Sequence, residues 1–242
     1  ALEKIYTKKG MTILTSSKVL NSKIEGDKVQ LLVNTPKGEQ IIETDIVLSA
    51  AGVATNIENI GLELTGIKTE NDKVKVDAYY QTNVEGVYAI GDIVKGQALA
   101  HVASAEGIIA VEHIAGHHPQ PLDYDNIPGC TYCSPEVASV GITEQKAKDK
   151  GLDILVGKFP FSASGKAKAA GKADGFVKLI IDKKYGEVLG AHMIGENVTE
   201  MIAEIIVARK LETTGIQILK SVHPHPTMSE AIMEAAAAAY GE

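Results

Sequence analysis

The second half of the chain carries the pattern that constrains the fold most strongly, because extended apolar segments there alternate with amphipathic helical ones. The predicted extended segments cover residues 131–140, 154–161, 176–182 and 187–194. Lys183-Lys184-Tyr185-Gly186 is typical of a hairpin turn between the last two. Helices are predicted at 143–150, at 199–211 and from Met228 onward. These elements predict an α+β domain, with an antiparallel sheet and helices on one side of it.

The first half has a different organisation, which predicts remnants of an α/β fold. A short helix before Gly10, a strand at 11–14, and a hairpin of 29–34 with 39–48 are predicted. Farther along, a buried strand at 87–90 ends in Gly91-Asp92 and is followed by a helix at 103–115. An aspartate at the carboxyl end of such a strand is where open α/β sheets bind ligands, although it can equally cap the next turn.

Charge and composition argue against two classes of protein. The 242 residues carry a formal net charge of −7, and the lysines are scattered without a basic stripe, so no nucleic-acid partner is predicted. No apolar run approaches the length of a membrane span, and the first residues lack the pattern of a signal peptide. We therefore expect no membrane partner and a cytoplasmic location, or the mitochondrial matrix in a eukaryote.

The two cysteines, Cys130 and Cys133, form a C-x-x-C pair that raises the question of a metal or redox site. A zinc site needs two further ligands at suitable spacing, and the chain has no second pair. In an extended segment the side chains at positions i and i+3 point to opposite faces, so the sulfurs diverge. Two reduced, partly buried thiols are predicted. Because His223-x-His225 also lacks a third ligand, no metal site is predicted.

The string from His223 to Glu230, His-Pro-His-Pro-Thr-Met-Ser-Glu, allows two interpretations. His225 and Glu230 can form an acid/base pair, because a carboxylate on one ring nitrogen fixes the tautomer and stabilises the imidazolium. Alternatively, Thr227-x-x-Glu230 is a capping box, in which Thr227 caps a helix and Glu230 reaches back to its N–H. Glu230 has two oxygens and can serve both functions.

Small residues at Ala50-Ala51-Gly52 also allow two interpretations, close approach of a ligand or a plain tight turn. Five strings follow one another along the chain: Gly52-Val53-Ala54-Thr55-Asn56, Thr82 through Gly91-Asp92, Leu99-Ala100-His101, Pro135-Glu136-Val137-Ala138 and His223-x-His225-Pro226-Thr227. Taken in this order, they resemble the flavin-dependent pyridine nucleotide-disulfide oxidoreductases. Within that family, the last two strings favour the branch that oxidises dihydrolipoamide.

The resemblance implies a role for each matching position. Asp92 corresponds to the aspartate that binds the ribityl chain of FAD, and Leu99-Ala100 to the backbone that approaches the flavin ring. Gly52 falls at the edge of the nicotinamide site of NAD. His225 corresponds to the catalytic acid/base and Glu230 to the carboxylate that orients it, both acting on the partner subunit of a homodimer. The implied second partner is the lipoyl domain of a 2-oxo acid dehydrogenase complex.

The resemblance also implies three segments: residues 1–53 as the end of an NAD-binding domain, 54–121 as the last part of an FAD-binding domain, and 122–242 as the interface domain. The family's C-x-x-x-x-C disulfide and its two glycine-rich fingerprints are absent from the chain. We therefore expect a C-terminal portion that is inactive alone. The alternatives are a pure dimerisation fragment and the same portion of a glutathione-reductase-like enzyme.

Overall fold

A computed structural model describes all 242 residues of the chain. By contacts between Cα atoms, the chain divides into two compact units, Ala1–Ala54 and Thr55–Glu242. The segment boundaries implied by the resemblance, after residues 53 and 121, stay predictions.

The first unit is a short helix followed by a three-stranded antiparallel sheet. The helix α1 covers Leu2–Lys8 and ends before Gly10, as predicted. The strands are β1 (Lys18–Glu25), β2 (Lys28–Thr35) and β3 (Gly38–Thr44), and they lie in the order β1-β2-β3. The β2–β3 hairpin confirms the predicted pairing, which begins with Thr35 opposite Gly38.

Two predictions for this unit are wrong. Residues 11–14 form no strand, and β3 ends at Thr44 instead of continuing to Leu48. The apolar side chains of Ile46 and Leu48 are exposed, because no neighbouring strand pairs with residues 45–48. The strand β1 was not predicted, because its residues are all exposed and it is held by its backbone pairing with β2.

The second unit begins with short elements and one long helix. They are α2 (Leu62–Thr65), β4 (Thr69–Glu70), β5 (Lys73–Val74), a 3₁₀ turn (Gly91–Ile93) and α3 (Ala100–Ile114). The helix α3 confirms the predicted helix and begins three residues earlier. The predicted buried strand at 87–90 is wrong, because this segment makes a single antiparallel bridge, Gln81 to Tyr88, and Ile90 is exposed.

The rest of the second unit is built on a five-stranded antiparallel sheet. Its strands are β6 (Gly129–Thr131), β7 (Glu136–Gly141), β8 (Ile154–Pro160), β9 (Phe176–Asp182) and β10 (Val188–Gly195). They lie in the order β6-β7-β10-β9-β8, and all neighbours are antiparallel. The predicted segments at 154–161, 176–182 and 187–194 are confirmed. The predicted segment at 131–140 is instead two strands with a turn between them.

The register of the sheet places its small and apolar side chains in rows on one face, since directly paired residues of neighbouring strands share a face. One row runs Val140, Ala191, Leu179, Gly157 across β7, β10, β9 and β8. The next row runs Ala138, Met193, Val177, Phe159. These rows belong to the main hydrophobic core.

Two of the five helices in this part of the chain cover that face, as the α+β prediction requires. The five are α4 (Glu144–Asp149), α5 (Gly165–Ala169), α6 (Val198–Lys210), α7 (Gly215–Lys220) and α8 (Glu230–Tyr240). The helix α6 packs on β7 and β10, and α8 packs on β8 and β9. The helix α7 was not predicted from the sequence, and it begins with a complete capping box of Thr214 and Gln217. None of the helices has the length and apolar character that crossing a bilayer requires.

The contact between α8 and the sheet is close enough to require glycine at position 157. A Cβ atom there would lie 1.8 Å from the carbonyl oxygen of Ala235 and 2.8 Å from the Cβ of Ala239. The alanine-rich composition of α8 thus lets the helix backbone approach the strand backbone directly.

We expect Gly157→Ala to lower the free energy of unfolding by about 1–3 kcal/mol, because the added methyl group forces α8 away from β8. Urea denaturation measures the change. Gly165→Ala is the matched control, since a Cβ at Gly165 meets no atom within 4 Å. Equal effects of the two substitutions would contradict the packing argument.

Candidate active site

His225 and Glu230 form a direct hydrogen-bonded pair in the loop before α8. The Nδ1 atom of His225 lies 2.8 Å from Oε1 of Glu230. The second carboxylate oxygen, Oε2, accepts the backbone N–H of Thr227 at 2.7 Å. The carboxylate of Glu230 therefore binds both the imidazole and the loop backbone. The predicted pair with His225 and the predicted bond to the N–H of Thr227 are present at the same time.

The capping box predicted for this loop is only half formed. The hydroxyl of Thr227 donates to the carbonyl oxygen of Pro224 at 2.8 Å and does not cap the helix. The helix α8 begins at Glu230, after Ser229, and no side chain caps it. The prediction that Thr227 caps the helix is therefore wrong, whereas the return bond from the Thr227 N–H to Glu230 is present.

The surroundings of the pair keep the carboxylate ionised and leave the imidazole accessible. The N–H of Thr227 and, to a smaller extent, the His225 ring lower the pKa of Glu230 below its ordinary value. The side chain of His225 is 79% exposed and that of Glu230 is 28% exposed. Because Glu230 binds Nδ1, the Nε2 atom of His225 faces outward with no hydrogen-bond partner in the chain. This arrangement can move a proton at Nε2 for a group that approaches from outside.

The residues predicted to contact FAD lie at the 3₁₀ turn and at the start of α3. Asp92 is exposed within Gly91–Ile93, and Leu99 immediately precedes the first residue of α3, Ala100. No side chain caps α3, and its first turn has no acidic residue. No hydrogen bond or ion pair joins these residues to His225 or Glu230. The residues predicted to contact FAD and the imidazole–carboxylate pair are therefore two separate groups in this chain.

Gly52, the residue predicted at the edge of the nicotinamide site, lies in the first unit. Its φ is +134°, which glycine adopts without strain, and a Cβ there would meet no atom within 4 Å. This geometry supplies no contact that identifies a ligand.

Sequence reasoning missed Glu106, which organises the turn that carries Asp92. Its side chain is 1% exposed, and its Oε2 accepts the N–H of Gly91 at 2.7 Å. Its Oε1 accepts the hydroxyl of Tyr124 at 2.6 Å, and that hydroxyl lies 3.2 Å from the hydroxyl of Tyr80. Burial and the bond to Glu106 raise the pKa of Tyr124, so the tyrosine stays a neutral donor. The only sequence signal was a glutamate on the apolar side of a helix.

Both cysteines are free, half-buried thiols, which confirms the prediction. Cys130 belongs to β6, and burial raises the pKa of its thiol. The Cys133 thiol donates to the carbonyl oxygen of Pro135 at 3.1 Å. The raised pKa of Cys130 disfavours the thiolate that would act as a nucleophile.

Comparison with protein families matches both ends of the chain to the same enzymes. Residues 1–107 match the model of pyridine nucleotide-disulphide oxidoreductases, and residues 127–236 match the model of their dimerisation domain. The chain belongs to the pyridine nucleotide-disulphide oxidoreductases. The family resemblance and the predicted fold class, an α/β remnant followed by an α+β dimerisation domain, are thereby confirmed.

Among curated relatives, the dihydrolipoyl dehydrogenase of Rhizobium etli is 50% identical over 236 residues, which cover 97% of this chain and 49% of that protein. The dihydrolipoyl dehydrogenase of Bacillus subtilis is 47% identical over 243 residues, covering 100% of this chain and 51% of that protein. The chain thus spans about half the length of the curated relatives it matches.

Solved structures agree with the fold. The crystal structure of LpdA from Mycobacterium tuberculosis superposes with a TM-score of 0.88 at 25% identity, covering 97% of this chain and 51% of that one. The HOCl-induced flavoprotein disulfide reductase RclA from Escherichia coli superposes with a TM-score of 0.89 at 22% identity, covering 98% of this chain and 54% of that one.

We expect Glu230→Gln to remove part of the acid dependence of stability. A carboxyl whose pKa is lowered by folding stabilises the fold above its ordinary pKa of 4.5, and this contribution is lost as the pH falls through the folded value. The stability difference between wild type and variant should therefore shrink as the pH falls below 4.5.

Urea denaturation at a series of pH values measures this difference. Glu234→Gln is the matched control, because it removes a carboxylate from the same helix without touching Thr227 or His225. A stability difference for Glu230→Gln that does not vary with pH would contradict the assignment.

Proposed function

We propose that this chain supplies the acid/base part of an active site that oxidises protein-bound dihydrolipoamide, with FAD as the flavin and NAD as the final electron acceptor. The observation that carries the proposal is the geometry of His225, whose Nδ1 is held by Glu230 while Nε2 is open. The names of the curated relatives support the substrate class, and they favour lipoamide over the glutathione alternative.

The proton chemistry follows from the two bonds of Glu230. Its carboxylate keeps the hydrogen of the neutral imidazole on Nδ1, so the lone pair lies on Nε2. Nε2 takes the proton of a dihydrolipoamide thiol, and the resulting imidazolium is stabilised by the negative charge of Glu230. The thiolate left behind is the nucleophile that attacks a disulfide of the enzyme, and one sulfur of that disulfide leaves as a thiolate.

A homodimer is part of the proposal. Nε2 of the exposed His225 side chain has no hydrogen-bond partner in the chain, so it is open to a group that a second polypeptide brings to it. The family model that matches residues 127–236 is a dimerisation domain, which supports a second copy of the same chain. The lipoyl domain of a 2-oxo acid dehydrogenase complex would be the partner that delivers the substrate.

The residues near α3 fit a flavin. The first N–H groups of a 15-residue helix without a side-chain cap offer donors to a carbonyl oxygen of the ring, next to Leu99 and Ala100. The exposed carboxylate of Asp92 offers an acceptor for hydroxyl groups of the ribityl chain. Bound FAD would carry electrons from the reduced disulfide to NAD. The role of Gly52 beside the nicotinamide rests on the resemblance alone.

A pure dimerisation fragment is the second candidate function, since the chain lacks the family's redox disulfide and glycine-rich fingerprints. A chimera separates the two candidates. In it, this chain replaces the matching half of the Rhizobium etli dihydrolipoyl dehydrogenase, and the other half of that relative is retained.

In the chimera, we expect His225→Gln to reduce NADH-dependent lipoamide reduction by about 10²- to 10⁴-fold, the usual cost of removing a positioned acid/base. NADH oxidation by an artificial one-electron acceptor should persist, because it needs no thiol proton. Steady-state assays with both acceptors measure the two activities.

His118→Gln is the control, because it removes an exposed histidine whose side chain makes no hydrogen bond. Equal loss of both activities in His225→Gln, or full retention of lipoamide reduction, would contradict the proposed role of His225.

A further inference from the structure

A second imidazole–carboxylate pair lies two residues before the first. The Nε2 atom of His223 is 2.8 Å from Oε1 of Glu204, which belongs to α6. Its Nδ1 atom is 3.1 Å from the carbonyl oxygen of Ser221. The family resemblance assigned no role to either His223 or Glu204.

The surroundings of His223 and His225 differ in ways that assign them different functions. The side chain of His223 is only 7% exposed, against 79% for His225. Both ring nitrogens of His223 face oxygen atoms that accept hydrogen bonds, so neither is open to a substrate. His223 therefore cannot replace His225 as the group that moves a substrate proton.

The contact between His223 and Glu204 ties a loop to a helix. The loop joins α7 to α8 and contains no regular secondary structure between Ser221 and Ser229. The hydroxyl of Ser221 donates to the carbonyl oxygen of Gln217 in α7. Apart from that bond and the bonds of Thr227 and Glu230, the side chains of the loop make one bond to another element, which is His223 to Glu204. His223 is thus the point at which the loop is fixed to α6.

The helix that receives this bond is itself fixed to the sheet. The carboxylate Oε2 of Glu136, on β7, accepts the N–H of Thr199 at 3.1 Å and its hydroxyl at 2.7 Å in the first turn of α6. The buried side chains of Met201, Ile202 and Ile205 pack α6 onto the sheet. A continuous path therefore runs from the sheet through α6 and Glu204 to His223.

We propose that Glu204 and His223 are positioning residues that hold the loop in the conformation where His225 meets Glu230. This inference rests on the proposed function of His225, but it can be tested without catalysis. Two supports then act on the loop from two different helices: Glu230 binds it from α8, and Glu204 binds it from α6. Without the second support, His225 spends part of its time away from Glu230.

The ring tautomer of His225 shows how much of the time the ring is bound to Glu230, and it can be measured in the 242-residue chain. Two-bond ¹H–¹⁵N NMR correlations distinguish which ring nitrogen of a neutral histidine carries hydrogen. In the wild type, Glu230 should hold the hydrogen of His225 on Nδ1. In Glu204→Ala, the ratio of the Nδ1–H to the Nε2–H form should fall by about tenfold, the size expected for losing a bond to a charged group.

Matched variants separate positioning from a general effect on the helix. Glu200→Ala removes an exposed carboxylate one turn earlier on α6 and should leave the ratio unchanged. Glu204→Gln keeps an acceptor oxygen for His223 and should restore most of the wild-type ratio. His223→Phe retains a ring but no donor and should reproduce the effect of Glu204→Ala, which covers the case in which one of the two variants does not fold.

An unchanged tautomer ratio in Glu204→Ala or His223→Phe would overturn the proposal, as would an equal fall in Glu200→Ala. In the chimera, Glu204→Ala should lower lipoamide turnover by about 10- to 100-fold through misplacement of His225, with the artificial-acceptor activity retained. The two inferences can fail separately. Retained lipoamide turnover in His225→Gln refutes the catalytic role, whereas the tautomer ratio tests the positioning role alone.

Discussion

The close contact between α8 and the sheet sets the position of the candidate acid/base pair. Gly157 permits this contact because it has no side chain to separate β8 from the backbone of Ala235. Glu230 is the first residue of α8, so its carboxylate is fixed relative to the sheet by the same packing. The imidazole of His225 is in turn oriented by that carboxylate. Helix packing thus determines where a proton can be accepted.

Carboxylates that accept backbone N–H groups are a recurring feature of this unit. Glu230 binds the N–H of Thr227, Glu106 binds that of Gly91, and Glu136 binds that of Thr199. The first bond fixes the loop that carries His225, and the second fixes the turn that carries Asp92. The third fixes the start of α6, the helix that carries Glu204. At each of these three places, the hydrogen bond from one side chain satisfies a backbone N–H group and stabilises the local backbone conformation.

The α+β domain could be predicted from the sequence because its strands and helices show clear apolar patterns. The strands β8 to β10 and the apolar face of α6 were found for this reason. The strand β1 was missed because it buries no side chain and is held by backbone pairing alone. The run at 87–90 was assigned to a strand because apolar sequence does not report whether a pairing partner exists.

The candidate site was predictable only in part for a related reason. His225 and Glu230 lie five residues apart, so their pairing could be inferred from local spacing. Glu106 and Glu204 bind groups that are 15 and 19 residues away, and no periodicity in the sequence marks such contacts. Family resemblance assigned roles to His225, Glu230 and the residues predicted to contact the cofactors, but not to Glu106 or Glu204.

Mixed dimers of the chimera test the central claim most directly, namely that His225 acts on a sulfur of the partner subunit. One subunit carries His225→Gln, and the other carries serine in place of a reactive cysteine in the Rhizobium etli half. Each variant alone should be inactive towards lipoamide. If His225 acts across the dimer, the purified mixed dimer has one intact site of two and should recover about half of the unmodified activity. A mixed dimer without lipoamide activity would contradict the account, because it would show that the histidine and the cysteine have to belong to the same subunit.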